Sequence, residues 1–442
     1  MHSETAHHIA RAMQARSGRV SGRLELAIGP RDLHPNRPPV GGPRNAHQEV
    51  AMTMLAPRMP EPSMTFAVQT EIAVVLGTRS EAVKLAPVVR ALRRTPGVRP
   101  LVVSTGQHRE LLDQVLRPLG VRPDVDLAVL DPGQPLPRLT ARVVEQLGEL
   151  LAQRRPAAVI VHGDSTTAFG GALAAFSEGI PVGHVGAGLR SGMASDPFPE
   201  EANRRLIAPL ARWHLAPTVG AAANLIAEGV ESSTVTVTGN TGIDSLTWAA
   251  DLQRGTSAFR GRRAVDRAAP RLLVTLHRRE NGGGTMRGLA GALRELAADG
   301  ADVVVPLHPS PAVREVLLPA LEGSQVRVVE SLGYLDFVAT LADSTLVITD
   351  SGGVQEEAPT LGKPALVVRE LTERPEGPAA GVARLIGTDP QVLLDECRAL
   401  LADVELYAQM SRRANPYGDG HAAERVVETV CRSLVPCWSG AN

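Results

Sequence analysis

The sequence predicts an α/β protein built from two Rossmann-like, doubly wound lobes with a deep cleft between them. Three observations predict it: a length of 442 residues, a rhythm of short apolar runs alternating with helical stretches, and one polar break that divides this rhythm in two. A chain of this length exceeds one ordinary hydrophobic core, so two domains are expected. Hydrophobic residues make up 43% of it, which is ample to fill both.

From residue 70 onward, runs rich in Val, Ile and Leu end in turn residues and give way to stretches of helical periodicity. This is the pattern of parallel strands covered by helices. The first series runs Ile72 to Leu76, Leu101 to Ser104, Ala158 to Val161, Val182 to Val185 and Thr234 to Thr238. The second runs Leu272 to Leu276, Val303 to Leu307, Val326 to Val329, Leu346 to Thr349 and Ala365 to Val368. Between them, Asp251 to Ala269 is polar and arginine-rich and marks the break. The expected organisation is a disordered N-terminal extension over 1–69, one lobe over 70–248, a second over 249–414 and a C-terminal helical segment over 415–434.

Composition excludes several function classes. Lysine plus arginine total 46 against 47 acidic residues, so a net charge of -1 gives no electrostatic case for nucleic acid or an anionic membrane as partner. Lys84 and Lys363 are the only lysines. The three cysteines, Cys397, Cys431 and Cys437, cannot form a complete disulfide set and lack metal-site spacing. No apolar run approaches the roughly 18 to 20 residues needed to span a bilayer. The first residues are rich in His, Arg, Pro and Gly and lack the apolar core of a signal peptide. A cytoplasmic protein is expected, its extension either disordered or an over-long gene start, since Met52, Met54, Met59 and Met64 crowd its end.

Residues that carry chemistry collect where strands end, the place ligands take in doubly wound sheets. After the first strand, Gly77-Thr78-Arg79 opens a helix that carries two cations, Arg79 and Lys84, on its first turns. Backbone N–H groups at a helix start attract anions, and an arginine adds a bidentate contact to phosphate. The same residues also read as an ordinary turn. Asp350-Ser351-Gly352-Gly353 through Glu357 is a stronger signal, because two glycines after a buried strand let backbone donors approach a diphosphate and the carboxylates reach ribose hydroxyls. Asp350 or Ser351 also reads as a helix cap. Three further polar clusters are His162-Gly163-Asp164-Ser165, Pro197 to Arg204, and His277-Arg278-Arg279-Glu280-Asn281. None has metal-ligand spacing, so neither a metal nor a cofactor is expected.

Taken together these segments resemble the non-hydrolysing UDP-N-acetylglucosamine 2-epimerases, in order, from about residue 71 to 432. The resemblance is carried by Gly77-Thr78-Arg79, Thr105-Gly106-Gln107-His108-Arg109-Glu110, Val161-His162-Gly163-Asp164, Pro199-Glu200-Glu201 and Thr238-Gly239-Asn240-Thr241. It continues through His277 to Asn281, Asp350 to Gly353, Thr372-Glu373-Arg374-Pro375-Glu376 and Asn415 to Gly420. It implies a GT-B-like fold whose last helix, after Asn415-Pro416-Tyr417, crosses back to the first lobe, with UDP mainly on the second. It further implies that Ser351, Gly352 and Gly353 form the diphosphate turn, Glu357 holds the ribose, Phe337 contacts the uracil, and Arg79 and His277 face the phosphates. Lys84 and Arg204 join the nucleotide-sugar site, and Asp164, Glu200 and His277 the catalytic set. Homodimerisation is implied as well, and Gln107, Gln134, Arg278 and His308 stand near positions of an allosteric UDP-sugar site.

One position departs from the family. Where its members read His-Val-Glu-Ala-Gly-Leu-Arg, this chain reads His184-Val185-Gly186-Ala187-Gly188-Leu189-Arg190, so a catalytic carboxylate is expected to be missing at Gly186. A positioned acid or base contributes about 10² to 10⁴ in rate. The sequence therefore favours a retaining glycosyltransferase that moves GlcNAc from UDP-GlcNAc to a small polyol or sugar acceptor admitted beside Gly186. The alternatives are a UDP-GlcNAc 2-epimerase using Asp164 or Glu200, and a non-catalytic UDP-sugar binding protein.

Overall fold

The computed structural model describes residues 69–435, apart from 107–111, 113–114, 130, 132, 194–196, 255–268 and 278–282. The expected extension up to residue 68, Cys437, Gln107, Arg278 and most of the interlobe break lie outside the described residues. The described residues belong to one compact unit.

Two parallel sheets carry the fold. The first comprises β1 Thr70–Leu76, β2 Val98–Ser104, β3 Val125–Asp126, β4 Ala158–His162, β5 Val182–Val185, β6 Trp213–Ala216 and β7 Val235–Val237. Their spatial order is β3-β2-β1-β4-β5-β6-β7. The second comprises β8 Arg271–Thr275, β9 Asp302–Pro306, β10 Arg327–Val329, β11 Leu346–Thr349, β12 Ala365–Val367 and β13 Ala383–Leu385, in the order β10-β9-β8-β11-β12-β13. The two doubly wound, Rossmann-like lobes expected from the sequence are thus present.

The strands form where they do because both faces of each sheet are covered. In β1, Ile72 through Leu76 are all buried, with Val74 in register with Val102 on one side and Ile160 on the other. Strands buried on both faces read as continuous apolar runs. Three strands escaped the sequence reading: β3 has two residues, β13 has three, and β6 reads Trp-His-Leu-Ala. In each lobe the strand order reverses at a switch point, between β1 and β4 in the first and between β8 and β11 in the second. Crevices beyond such points take ligands.

The helix Arg79–Arg94 starts at a full capping box: Thr78 accepts from the Glu81 backbone, and the Glu81 carboxylate accepts from Thr78 N–H at 2.7 Å. Reciprocal capping of this kind satisfies two orphan donors and fixes where the helix begins. The helix packs against the helix Thr241–Arg254 and the C-terminal helix Ala422–Cys431. Val426, Val427 and Val430 of the C-terminal helix lie in the same core as Leu85 and Leu92 of the first lobe. Asp244 caps this last helix, accepting from Ala422 N–H at 3.2 Å and Ala423 N–H at 2.8 Å. The chain therefore returns to the first lobe after building the second.

Polar contacts join the lobes along the cleft. Lys84 Nζ lies 2.9 Å from Glu356 Oε2, Arg79 Nη2 donates to the Leu332 carbonyl at 3.2 Å, and Thr218 Oγ1 donates to Glu376 Oε1 at 2.5 Å. No helix among the described residues is long and apolar enough to cross a membrane.

Candidate active site

Two adjoining cavities open where the C-terminal ends of the central strands meet, one of about 400 Å³ and one of about 510 Å³. Ser80, Lys84, His277 and Gly353 line both, so the cavities meet at the start of the helix Arg79–Arg94. The sequence-derived candidates divide between them. Arg79, Phe337, Ser351 and Glu357 line the first cavity, while Asp164, Glu200, Arg204 and Gly352 line the second. His308 lines the first; Gln134 lines neither and donates to the Val129 carbonyl at 3.0 Å.

The first cavity has an aromatic and apolar wall, with Phe337 and Tyr334 on the helix Tyr334–Ala342, and a polar end. At the polar end, His277 follows β8, and its backbone N–H donates to Asp350 Oδ2 at 2.9 Å. Its ring stands 5.2 Å from that of His308. Burial draws the Arg79 guanidinium down from its ordinary value, opposed by the Glu357 carboxylate and by Tyr334. Burial likewise pushes the Glu357 carboxyl up to about 7, with Lys84 pulling it down and neighbouring Glu356 raising it. Glycine at 352 has a packing reason: a β-carbon there would stand 2.5 Å from the Arg374 guanidinium. At Gly353 the space within 4 Å is open.

The second cavity is more polar. Asp164, beyond β4, accepts from Arg204 Nε at 2.8 Å and lies 2.5 Å from Arg204 Nη2. Arg204 in turn reaches the buried Glu201 at 3.1 Å, and Asn203 donates to the Asp164 carbonyl at 2.8 Å. The helix Glu200–Ile207 therefore holds the Asp164 loop in place, and Glu200 faces the cavity from the helix's first turn. Between the cavities, burial disfavours ionisation of Glu356, but Lys84 and Arg374 outweigh it and hold its carboxyl at about 2. Arg374 Nε is 2.7 Å from Glu356 Oε1, and Arg374 Nη1 is 2.8 Å from Glu373.

Sequence reasoning placed Glu356, Arg374 and His162 in motifs without giving any of them an individual site role, and gave Tyr334 none, although all four stand in or against the cavities. The signals for the first two were a second carboxylate beside Glu357 and the Thr372 to Glu376 motif, neither of which shows that Glu356 and Arg374 pair with each other. No group of three or more His, Cys, Asp or Glu placed to hold a metal ion occurs among the described residues.

Gly186 follows β5 with φ of +77°, a left-handed conformation that favours glycine. A β-carbon at that position would stand 3.1 Å from His162 Nε2. The room beside Gly186 is therefore bounded by an imidazole.

The family model for UDP-N-acetylglucosamine 2-epimerase matches residues 90–431. The UDP-N-acetylglucosamine 2-epimerase of Escherichia coli strain K12 is 45% identical over 368 residues, covering 81% of this chain and 98% of the relative. That of Bacillus subtilis strain 168 is 43% identical, covering 81% of this chain and 94% of the relative. Among solved structures, the Neisseria meningitidis UDP-GlcNAc 2-epimerase bound to UDP-GlcNAc superposes with a TM-score of 0.78 at 40% identity, covering 82% of this chain and all of that one. The Methanocaldococcus jannaschii enzyme in complex with UDP-GlcNAc and UDP gives 0.71 at 29% identity, covering 82% of this chain and 99% of that one.

These relatives overturn the glycosyltransferase expectation, and with it the polyol or sugar acceptor. That expectation rested chiefly on Gly186, whose conformation favours glycine and whose neighbouring space His162 limits, while relatives matched along nearly their whole length are 2-epimerases. By its matched span, its two-lobed architecture and its identity to these enzymes, the chain belongs to the UDP-N-acetylglucosamine 2-epimerase family.

Proposed function

We propose that this chain interconverts UDP-GlcNAc and UDP-ManNAc. The observation that carries the reading is the pairing of the two cavities: a nucleotide-sized chamber with an aromatic wall opens directly onto a polar chamber lined by Asp164 and Glu200. Relatives of the same fold hold UDP-GlcNAc or UDP, which supports the same ligand here.

In this reading the uracil lies against Phe337, the ribose hydroxyls bind Glu357, and the diphosphate meets Ser351, Gly352 and Gly353. Arg79 supplies positive charge, and Arg79 and His277 hydrogen-bond donors, to the phosphate oxygens, where negative charge grows as the C1–O bond breaks. Lys84, ion-paired to Glu356, and Arg204, ion-paired to Asp164, border the sugar. Removal of the C2 proton by a base leaves the C–H electron pair to form the C1–C2 double bond of a 2-acetamidoglucal, and the C1–O pair departs with UDP. Re-addition of UDP at C1 with protonation of C2 on the opposite face gives the epimer. Asp164 and Glu200 are the carboxylates that line the chamber in which this proton work takes place, where the resemblance implies a third carboxylate and this chain has Gly186. The resemblance also supports a cytoplasmic homodimer.

Incubation with UDP-GlcNAc in D₂O tests the reading, because epimerisation exchanges the C2 proton whereas transfer or hydrolysis at C1 leaves it in place. UDP-ManNAc carrying deuterium at C2 is the expected product. UDP-GlcNAc that is consumed without C2 deuteration, or not consumed at all, would refute it.

A further inference from the structure

His162 ends β4 and lines the second cavity beside Gly186. Its Nε2 edge faces the point from which a side chain at 186 would set out, 3.1 Å away. The residue is only 9% exposed, yet no described residue hydrogen-bonds to its ring; Lys84, His184, Glu356 and Arg374 surround it through charge alone. The ring borders the second cavity, where a ligand can reach it. Burial first, then the positive charge of Lys84 and the neighbouring His184, hold the imidazole well below its ordinary value, so at neutral pH one ring nitrogen is an unprotonated acceptor.

The neighbouring groups are committed elsewhere. Asp164 is ion-paired to Arg204, Glu356 is shared between Lys84 and Arg374, and the His184 Nε2 edge is hydrogen-bonded to the Gly163 carbonyl at 2.7 Å. Glu81, although it lines the same cavity, is tied to Ser165 and to the Gly77 and Thr78 N–H groups.

Resting on the 2-epimerase reading, we propose that His162 is a catalytic residue of this chain, the base that takes the C2 proton of the UDP-sugar on the side where Gly186 leaves its ring uncovered. The imidazole nitrogen accepts the proton, the C–H pair forms the C1–C2 double bond, and the C1–O pair leaves on UDP. In the second half, the UDP oxygen adds back to C1 while a solvent proton, relayed through Glu200 in the same cavity, reaches the opposite face of C2. Solvent then removes the proton from His162, so each turnover balances. A neutral base here replaces a function that a carboxylate at 186 would otherwise serve.

The test compares the whole chain with its His162→Gln variant, which keeps a polar side chain but has no titratable nitrogen. C2 deuteration of UDP-GlcNAc in D₂O is followed by NMR, and UDP affinity by calorimetry. UDP affinity is expected to be retained while C2 exchange falls by about 100-fold or more, the scale of a lost general base. Exchange retained in a variant that binds UDP overturns the role of His162 and leaves the epimerase reading intact. Absence of C2 exchange and of UDP-ManNAc with the unaltered chain overturns both. If His162→Gln loses UDP binding through misfolding, Gly186→Ala decides, because its methyl group would cover Nε2 without removing it. Slowed exchange with unchanged UDP affinity is then expected, and exchange at the unaltered rate overturns the proposal.

Discussion

Lys84 Nζ lies 2.9 Å from Glu356 Oε2, and the two residues stand on different lobes, Lys84 lining both cavities where they meet. Both side chains are largely buried, at 12% and 3% exposure, so water screens the contact little. Glu356 is also held by Arg374 at 2.7 Å, and Lys84→Ala therefore leaves the carboxylate with one partner rather than none. A loss of about 1.5 to 3 kcal/mol in stability is expected, the range for a hydrogen bond to a charged group. Urea unfolding of the variant measures it. Glu356→Ala should cost more, because it strips a partner from both Lys84 and Arg374.

Glu357 gives a pH signature. Its carboxyl is pushed up to about 7 by burial, from an ordinary value of 4.5, so the folded state holds the proton more tightly than the unfolded chain. The folded state is therefore disfavoured progressively as pH rises from 4.5 through about 7, and the cost is complete above that. Glu357→Gln, which cannot ionise, should gain stability relative to the unaltered chain over this window, by up to about 3 kcal/mol. Equilibrium unfolding of both proteins at several pH values reads the difference. A constant difference across the window would contradict the burial of this carboxyl.

The same residue is expected to hold the ribose. Glu357→Ala should weaken UDP binding by about 1.5 to 3 kcal/mol, the loss of a charged acceptor from two neutral donors. Calorimetry with UDP checks it, and unchanged affinity would remove Glu357 from the nucleotide site.

These residues show which parts of the site were legible in the chain and which were not. Parallel strands buried on both faces appear as continuous apolar runs, so β1, β4, β8 and β11 could be located, and with them the strand ends where Gly77, Asp164, His277 and Ser351 fall. Short strands such as β3 and β13 leave too few residues for a period. Glu356 and Glu357 are adjacent, yet one pairs with Lys84, 272 positions away in sequence, and the other lines the first cavity. Which of two neighbouring carboxylates turns toward a ligand depends on partners that only the fold supplies. The transferase expectation failed for a related reason: the sequence displays a glycine at 186, but neither the left-handed backbone nor the imidazole beside it.

Arg79 and His277 both line the cavity assigned to the nucleotide, and charge-assisted hydrogen bonds from such groups are strong enough to hold a diphosphate. Turnover of UDP-GlcNAc is accordingly expected to survive EDTA. Loss of activity on chelation, restored by Mg²⁺ or Mn²⁺, would mean that these two residues do not carry the diphosphate charge.

Gly186 and Gly97 make a matched pair for separating backbone strain from contact. Their φ values are +77° and +73°, but a β-carbon at Gly97 would meet nothing within 4 Å, whereas one at Gly186 would meet His162 Nε2 at 3.1 Å. Alanine in a left-handed conformation costs about 1 to 2 kcal/mol from the clash of its β-carbon with the backbone, and this is the whole expected effect of Gly97→Ala. Gly186→Ala bears the same backbone cost and also presses a methyl group against the edge of a buried imidazole, closer than an ordinary van der Waals contact. Its loss of stability should therefore exceed that of Gly97→Ala, and the excess should shrink in a His162→Ala background, where the ring is gone. Parallel denaturant titrations of the three single variants and the Gly186→Ala/His162→Ala double variant form a cycle that isolates the contact. A Gly186→Ala cost equal to that of Gly97→Ala, unchanged by loss of the ring, would show that His162 does not stand against position 186 in solution, and the proton-transfer role assigned to it would lose its geometric basis.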